Sequence, residues 1–242
     1  MASALAALFL ASCGSDPEDR IERIYSWKAS STPDSLARIR GYLKDEDRDV
    51  RATALYALIS AAVPDAVQLG LGALEDEDGF VRATAAKGLG ELRASSTLEA
   101  LASHLGSDPD WHVRQRAAES LAAMGDPGAT EPLARGLEDP VREVRLAAVR
   151  GSADLDPAAS METLARIVLD DPDWEIRAEA ARALGLSHRP EAAAALEAVR
   201  SDPNEFVRAA AHAALRRVRQ AAAPPATSPD PPGGAPPAAP PG

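Results

Sequence analysis

The sequence contains few of the residues on which binding and redox chemistry usually depend. Its 242 residues include 1 Cys, 4 His, 3 Trp, 3 Tyr and 3 Phe. A single Cys excludes an internal disulfide, a redox dithiol and a thiolate zinc site. Basic residues are also outnumbered, with 26 Lys and Arg against 37 Asp and Glu and a net charge of -11. This balance argues against a nucleic-acid-binding surface, which needs clustered cations.

Recognisable catalytic motifs are absent from the sequence as well. It contains no Gly-rich phosphate loop, nucleophile elbow or Ser/His/Asp order. Carboxylates alternate from Asp45 to Asp49, but Val50 and Tyr56 stand where a calcium-binding loop needs Gly and Glu. No two histidines are three or four residues apart, and none is followed by Glu; they are His104, His112, His188 and His212. We therefore expect no enzymatic activity, no cofactor and no metal site.

A repeat of 31 or 32 residues runs through most of the chain. Its most regular position is an Arg that follows Val or Ile, at Arg51, Arg82, Arg114, Arg145, Arg177 and Arg208. Six residues before each Arg is an Asp, at Asp45, Asp76, Asp108, Asp139, Asp171 and Asp202. An Ala follows each Arg by three residues, and a Leu follows five of them by seven. Periodicity of this length indicates a stacked array of repeats.

Each repeat is expected to form two helices. The apolar positions one before, three after and seven after the Arg lie on one helical stripe. A shorter apolar segment precedes each of these helices, as at Pro33 to Leu43. Four copies have Pro directly after the Asp, which predicts that this Asp caps the second helix. The fold class is therefore all-α, an α-α superhelix of six two-helix repeats within residues 17–221.

The segment Pro17 to Trp27 aligns with the second helix of a repeat that precedes the first complete one. We interpret it as a capping helix in which Ile21, Ile24, Tyr25 and Trp27 cover the first unit. A spacing of six residues leaves the Asp and Arg of one unit on different sides of a helix. We therefore expect the Asp and Arg columns to be structural, with each Arg reaching a carboxylate of an adjacent unit.

A variable face of the second helices is the candidate partner surface. Positions two, five and nine residues after the Arg share one side of the helix and differ between copies. The residues that we single out are Tyr56, Lys87, Arg116, Glu119, Arg150, Glu179 and Arg182. Their mixed charge suits a protein or peptide, although a plain solvated helix face is the alternative. The aromatic residues Phe80, Trp111, Trp174 and Phe206 form a second pattern, either packing over a turn or lining a contact edge.

The segment Asp171 to Gly185, DPDWEIRAEAARALG, resembles the HEAT-like repeat of the phycobilisome-lyase type. The other copies match it with substitutions, so the resemblance covers about residues 44–220. It implies an α-solenoid whose second helices line the concave surface. HEAT-like deoxyhypusine hydroxylases hold two irons through His-Glu pairs, which this sequence lacks. HEAT arrays serve many tasks, so the resemblance predicts the fold rather than the function.

The first residues resemble a bacterial lipoprotein signal. Met1 to Ser12 carry no charge, and Leu10-Ala11-Ser12-Cys13 is similar to a lipobox, in which the Cys is diacylated. The apolar run is too short to span a membrane but fits a signal-peptide core. We expect a signal peptide at 1–12, lipidation of Cys13 and a short tether at 13–16. The alternative is an ordinary N-terminus with an incidental thiol.

The Pro- and Ala-rich residues 222–242 cannot bury a core, and we expect them to be disordered. Together these observations predict a monomeric, non-catalytic scaffold that binds another protein or peptide and no nucleic acid. A lipid anchor would hold it in the bacterial cell envelope, at the outer membrane or the periplasmic face. Two alternatives remain open, a chromophore or lyase accessory protein of the phycobilisome-lyase type and a cytosolic HEAT scaffold.

Overall fold

The computed structural model describes residues 16–222, which form helices and connecting turns without a β-strand in that range. The helices that begin the six units are α2 Pro33–Arg40, α4 Ala66–Ala73, α6 Leu98–Ser107, α8 Thr130–Gly136, α10 Met161–Asp170 and α12 Ala193–Ala198. The second helices are α3 Arg48–Ser60, α5 Gly79–Leu92, α7 Trp111–Met124, α9 Arg142–Leu155, α11 Trp174–Leu186 and α13 Glu205–Ala222. A capping helix, α1 Pro17–Ser30, precedes them. The expected all-α array of paired helices is confirmed.

The repeated apolar columns form the core. Val50, Ala54 and Leu58 of α3 are each fully buried, and the equivalent Val or Ile and Ala positions of the later units are at most 2% exposed. The single departure is Ser152, which replaces the Leu in α9 and is also buried. Second helices of successive units lie side by side, while each packs on the first helix of its own unit. This stacking buries one continuous apolar stripe on each helix.

Small residues bring the second helices close together. A Cβ at Gly88 would lie 2.6 Å from the side chain of Ile59, and one at Gly185 would lie 2.7 Å from the backbone of Ala214. Ser120 adds a buried hydrogen bond, which its hydroxyl donates to the carbonyl of Ala86 at 2.9 Å. Side chains larger than these would push neighbouring units apart.

The capping helix begins at Pro17, and the carboxylate of Asp16 accepts a hydrogen bond from the backbone N–H of Glu18 at 3.2 Å. Ile24 is fully buried, and Trp27 stacks on Tyr42 of the first unit with ring centroids 6.0 Å apart. No helix within residues 16–222 combines the length and apolar character needed to cross a bilayer. The predicted signal peptide, Cys13 and most of the predicted disordered tail lie outside the described residues.

Candidate functional site

The Asp and Arg columns join successive units. In the pair between α3 and the next unit, Nε and Nη2 of Arg51 donate to both carboxylate oxygens of Asp76, each at 2.9 Å. The third nitrogen of Arg51, Nη1, donates to the backbone carbonyl of Asp45 in its own unit at 2.8 Å. Equivalent ion pairs join Arg82–Asp108, Arg114–Asp139, Arg145–Asp171 and Arg177–Asp202. Arg20 of the capping helix lies 3.3 Å from Asp45, but its buried Nε has no hydrogen-bond partner within residues 16–222. The arginines therefore reach carboxylates of the following unit, as the spacing argument predicts.

The predicted helix caps are wrong by two residues. The Asp that lies six residues before each Arg does not cap its helix. One of its carboxylate oxygens instead accepts a hydrogen bond from the backbone N–H two residues later, as Asp76 accepts one from Asp78 at 2.9 Å. Asp78 is the true N-cap and accepts the N–H of Phe80 at 2.8 Å. The equivalent caps are Asp47, Asp110 and Asp173. Pro after the column Asp therefore lies in the turn that precedes the helix.

Electrostatics at these junctions favour the ionised pairs. Hydrogen bonds from Arg177 hold the pKa of Asp202 below its ordinary value and outweigh the opposing effect of burial. At Asp76 burial is the largest influence and alone would raise the pKa, but the hydrogen bonds from Arg51 and the Asp78 N–H lower it overall. The shared geometry at five unit junctions identifies the two columns as a structural device.

The candidate partner face runs across the second helices, and its N-terminal part is aromatic and cationic. Tyr56 is half-buried on α3, with the ammonium of Lys87 4.9 Å from its ring centroid and that of Lys28 5.3 Å from it. The Tyr56 hydroxyl donates to Glu91 at 3.4 Å, and Lys87 lies 3.8 Å from the same carboxylate. Tyr56 and Lys87, predicted from separate repeats, are thus brought into one cluster.

Next to this cluster is a small cleft among α1, α3 and α5, with a volume of about 140 Å³. Tyr25, Tyr56 and Phe80 contribute three aromatic rings to its walls, and Lys28 lies at its side. Tyr25 is 59% exposed and Phe80 is 50% exposed. We call the surface formed by Tyr25, Lys28, Tyr56 and Phe80 the aromatic cleft.

The rest of the candidate face carries arginines that pair with carboxylates of the same chain. Arg116 donates to Glu119 at 2.7 Å within α7. Arg150 of α9 lies 3.0 Å from Glu175 and 3.8 Å from Glu179 in the next unit. Arg182 lies 2.7 Å from Glu179. Of these pairs, the two made by Arg150 join neighbouring second helices, whereas those of Arg116 and Arg182 lie within one helix. All three arginine side chains are about half exposed.

A second groove of about 400 Å³ lies between α7 and α9. Its floor includes Ala122, Ala147 and Gly151, and its sides include Glu119 and Arg150. The groove is shallow because the helices touch: a Cβ at Gly151 would lie 2.8 Å from that of Ala122. Such a surface can accommodate an extended segment and does not enclose a small molecule.

The four aromatic positions that the repeat pattern singled out lie in three different environments. Trp111 is half-buried, packs against the core and stacks on His112. Trp174 and Phe206 remain 43% and 53% exposed, although their rings stack at 5.3 Å. Phe80 belongs to the aromatic cleft, with Arg48 5.8 Å from its ring centroid. Packing over a turn therefore accounts for Trp111 better than for the other three.

Sequence reasoning missed the contribution of the capping helix to this face. Tyr25 was expected to cover the first unit, but its side chain is exposed and lines the cleft, while Ile24 takes the buried position. The sequence contains a signal for Tyr25, because it follows Arg20 by five residues. Tyr56 follows Arg51, and Lys87 follows Arg82, by the same distance. Lys28 follows Tyr25 by three residues on the same side of α1. Treating α1 as a full second helix would have found Tyr25, whereas Lys28 follows Arg20 by eight residues and falls outside the offsets of two, five and nine.

Within residues 16–222 no group of three or more His, Cys, Asp or Glu side chains converges as a metal site would require. The acidic turn from Glu46 to Asp49 instead borders a concavity with Glu77 and Asp78 and is crossed by Arg48, which lies 3.4 Å from Asp78. Asp47 in this turn caps α3. Helix capping and ion pairing thus occupy the carboxylates that resemble a calcium loop.

The repeat unit identifies the family of the chain. A family model described as HEAT repeats matches residues 68–153 and 130–216, which together make up more than half of the sequence. The chain belongs to the HEAT repeat family. The predicted HEAT resemblance is therefore confirmed. A search of curated proteins finds no match to the sequence.

Solved structures that are similar to this HEAT protein share little of its sequence. YibA of Escherichia coli is 22% identical, with a TM-score of 0.60 over 81% of this chain and 77% of that one. A designed armadillo repeat protein in complex with the peptide (KR)4 is 21% identical, with a TM-score of 0.54 over 84% of this chain and 100% of that one. The complex of CpcE and CpcF of phycocyanin lyase from Nostoc is 22% identical, covering 84% and 95%, with a TM-score of 0.47.

Proposed function

We propose that this HEAT protein is a non-catalytic scaffold that binds another protein or peptide across the second helices α3 to α11. The observation that carries the proposal is the contrast within each second helix. The inward columns are uniform and buried, whereas the outward face changes from unit to unit and combines exposed rings, arginines and carboxylates. Stacked repeats present such faces as extended binding surfaces.

The proposal includes a monomeric scaffold held at the membrane through lipid on Cys13. The lipobox-like sequence supports this anchor, and several acyl chains on one residue give stable membrane attachment without a spanning helix. We accordingly propose a location in the bacterial cell envelope, at the outer membrane or the periplasmic face. The net charge of -11 favours a protein partner over a nucleic acid.

Site-specific photocrosslinking tests the binding face. A photoreactive residue is placed at Arg116 or Arg182 on second helices, and at Glu99 or Glu162 on first helices as matched exposed controls. We expect crosslinks to a discrete protein from the second-helix positions and not from the controls. Crosslinks from the first-helix positions alone would refute the proposed face. A coloured ligand that copurifies with the protein would instead favour a chromophore-related role.

The anchor is tested separately by expressing the full chain and its Cys13→Ser variant in bacteria. We expect the parent in the membrane fraction with an acyl mass on Cys13, and the variant in the soluble fraction. If the parent protein carries no lipid on Cys13, the anchoring proposal is wrong. The binding face is tested independently, by the crosslinking experiment.

A further inference from the structure

We propose that the aromatic cleft binds a partner segment in which an aromatic or branched apolar side chain stands next to an Asp or Glu. This inference rests on the proposed binding function and specifies the chemistry of the partner at one part of the face. The first observation is composition: three of the aromatic residues and two of only three lysines in the chain, Lys28 and Lys87, meet here. Residue types that are rare in the sequence are thus concentrated at one surface.

The size of the cleft favours one side chain of the partner. Its volume is about 140 Å³, close to the ~150 Å³ engineered cavity that accepts benzene. Tyr25 is 59% exposed and Phe80 is 50% exposed. A side chain that inserts between them therefore removes apolar surface from water on both partners. Exposed aromatic residues around a small depression are typical of binding hot spots.

The charges around the cleft specify an acidic neighbour for that side chain. Within residues 16–222, Lys28 forms no ion pair and Lys87 forms an ion pair with Glu91 alone, at 3.8 Å. Arg48 also lies over Phe80, but its charge is matched by Asp78 and Asp49. A carboxylate of the partner can therefore approach two ammonium groups at the rim, whereas a basic residue would meet like charge there.

The cleft differs in this respect from the rest of the second-helix face. Arg150 and Arg182 already bind Glu175 and Glu179, so a partner carboxylate would have to displace those pairs. Lys28 offers its charge without such competition. The open shape and the continuity with the second-helix face fit an extended peptide segment of a protein.

A random 12-residue peptide library displayed on phage and selected against the full-length chain tests the inference. We expect the enriched sequences to share an aromatic or branched apolar residue beside Asp or Glu. Synthetic consensus peptides are then titrated by fluorescence anisotropy against the parent and against Lys28→Glu/Lys87→Glu. The affinity should fall by about tenfold or more in this variant. Replacing the acidic residue of the peptide by its amide, or the apolar residue by Ser, should weaken binding comparably.

The matched control is Arg135→Glu/Arg166→Glu, which changes the net charge by the same amount at exposed positions of the first helices α8 and α10. Arg150→Glu/Arg182→Glu probes the remainder of the second-helix face. Binding within about twofold of the parent is expected for the first-helix control, and circular dichroism of all variants should match the parent. Peptides that respond to Arg150 and Arg182 but not to the lysines would overturn the cleft and retain the second-helix face. The inference would be overturned if the peptides bound the lysine and arginine variants as tightly as the parent. It would also be overturned if the enriched peptides shared a basic consensus, or if no peptide were enriched.

Discussion

Arg114 of α7 binds both carboxylate oxygens of Asp139 in the following unit, with Nε to Oδ2 at 2.7 Å and Nη2 to Oδ1 at 3.1 Å. Its Nη1 donates to the carbonyl of Asp108 at 2.8 Å, so one guanidinium connects the turns of two successive units. Both side chains are largely buried, at 13% and 7% exposure. The bidentate geometry distinguishes this pair from an ordinary surface ion pair.

We expect Arg114→Ala to lower the free energy of unfolding by about 3 kcal/mol, because it leaves the buried carboxylate of Asp139 without its cation. Arg116→Ala is the matched control on the same helix, since Arg116 makes an exposed pair with Glu119 and its loss should cost roughly 0.5 kcal/mol or less. Denaturant unfolding followed by circular dichroism measures both. Equal effects of the two substitutions would contradict the structural role of the column.

The same pairs should make the protein sensitive to acid. The pKa of Asp202 is lowered by its hydrogen bonds with Arg177, from an ordinary value of 3.8. Because the folded pKa lies below the unfolded one, the stabilisation is fully present above the unfolded pKa and is lost as the pH falls through the folded pKa. Asp202→Asn should therefore reduce stability near neutral pH, and the difference from the parent should shrink as the pH falls below 3.8.

Unfolding free energies measured across a pH series test this expectation. Asp170→Asn serves as a control, because Asp170 is exposed and forms no ion pair within residues 16–222. A difference between parent and Asp202→Asn that is constant from neutral to acidic pH would refute the assigned role of the ionised carboxylate.

The sequence predicted the features that recur in every unit. Val50, Ala54 and Leu58 occupy one helical stripe, and the same offsets in six copies make their burial a property of the repeat. The link between Arg51 and the next unit also followed, because its spacing from Asp45 excludes a side-chain pair within one helix. These inferences depend on local helical geometry and on stacking, both of which the period determines.

Features that depend on competition between neighbours were harder to predict. Asp76 has the sequence position of a cap, but Arg51 and the N–H of Asp78 engage its oxygens, so Asp78 caps α5 instead. The exposed site at Tyr25 and Lys28 lies in a half-unit that lacks the column Asp, and its alignment with the repeats was only partial. Contacts such as Arg150 with Glu175 depend on the offset between adjacent helices, which no single repeat specifies.

The C-terminal end of α5 offers a test of backbone strain. Arg93 follows the helix in a left-handed conformation with φ of 49°, and Gly125 occupies the equivalent place after α7 with φ of 67°. A residue with a Cβ costs roughly 1 kcal/mol in this region. Arg93→Gly should therefore raise stability by about 1 kcal/mol, and Gly125→Ala should lower it by a similar amount. Thermal melts measure both, and a destabilised Arg93→Gly variant would contradict the explanation.

Two other glycines should respond to the same substitution in opposite directions. Gly72 is an exposed helical residue of α4 with open space around its Cα, so Gly72→Ala should stabilise the protein by roughly 0.5–1 kcal/mol. Gly185 of α11 faces α13, where a new Cβ would lie 2.7 Å from both the Cα and the Cβ of Ala214. Because backbone cannot yield as a flexible side chain does, Gly185→Ala should cost about 1–3 kcal/mol despite the better helix propensity of Ala. Denaturant midpoints of the two variants measure the contrast, and stabilisation by Gly185→Ala would show that the last two units are packed less closely than the structure indicates.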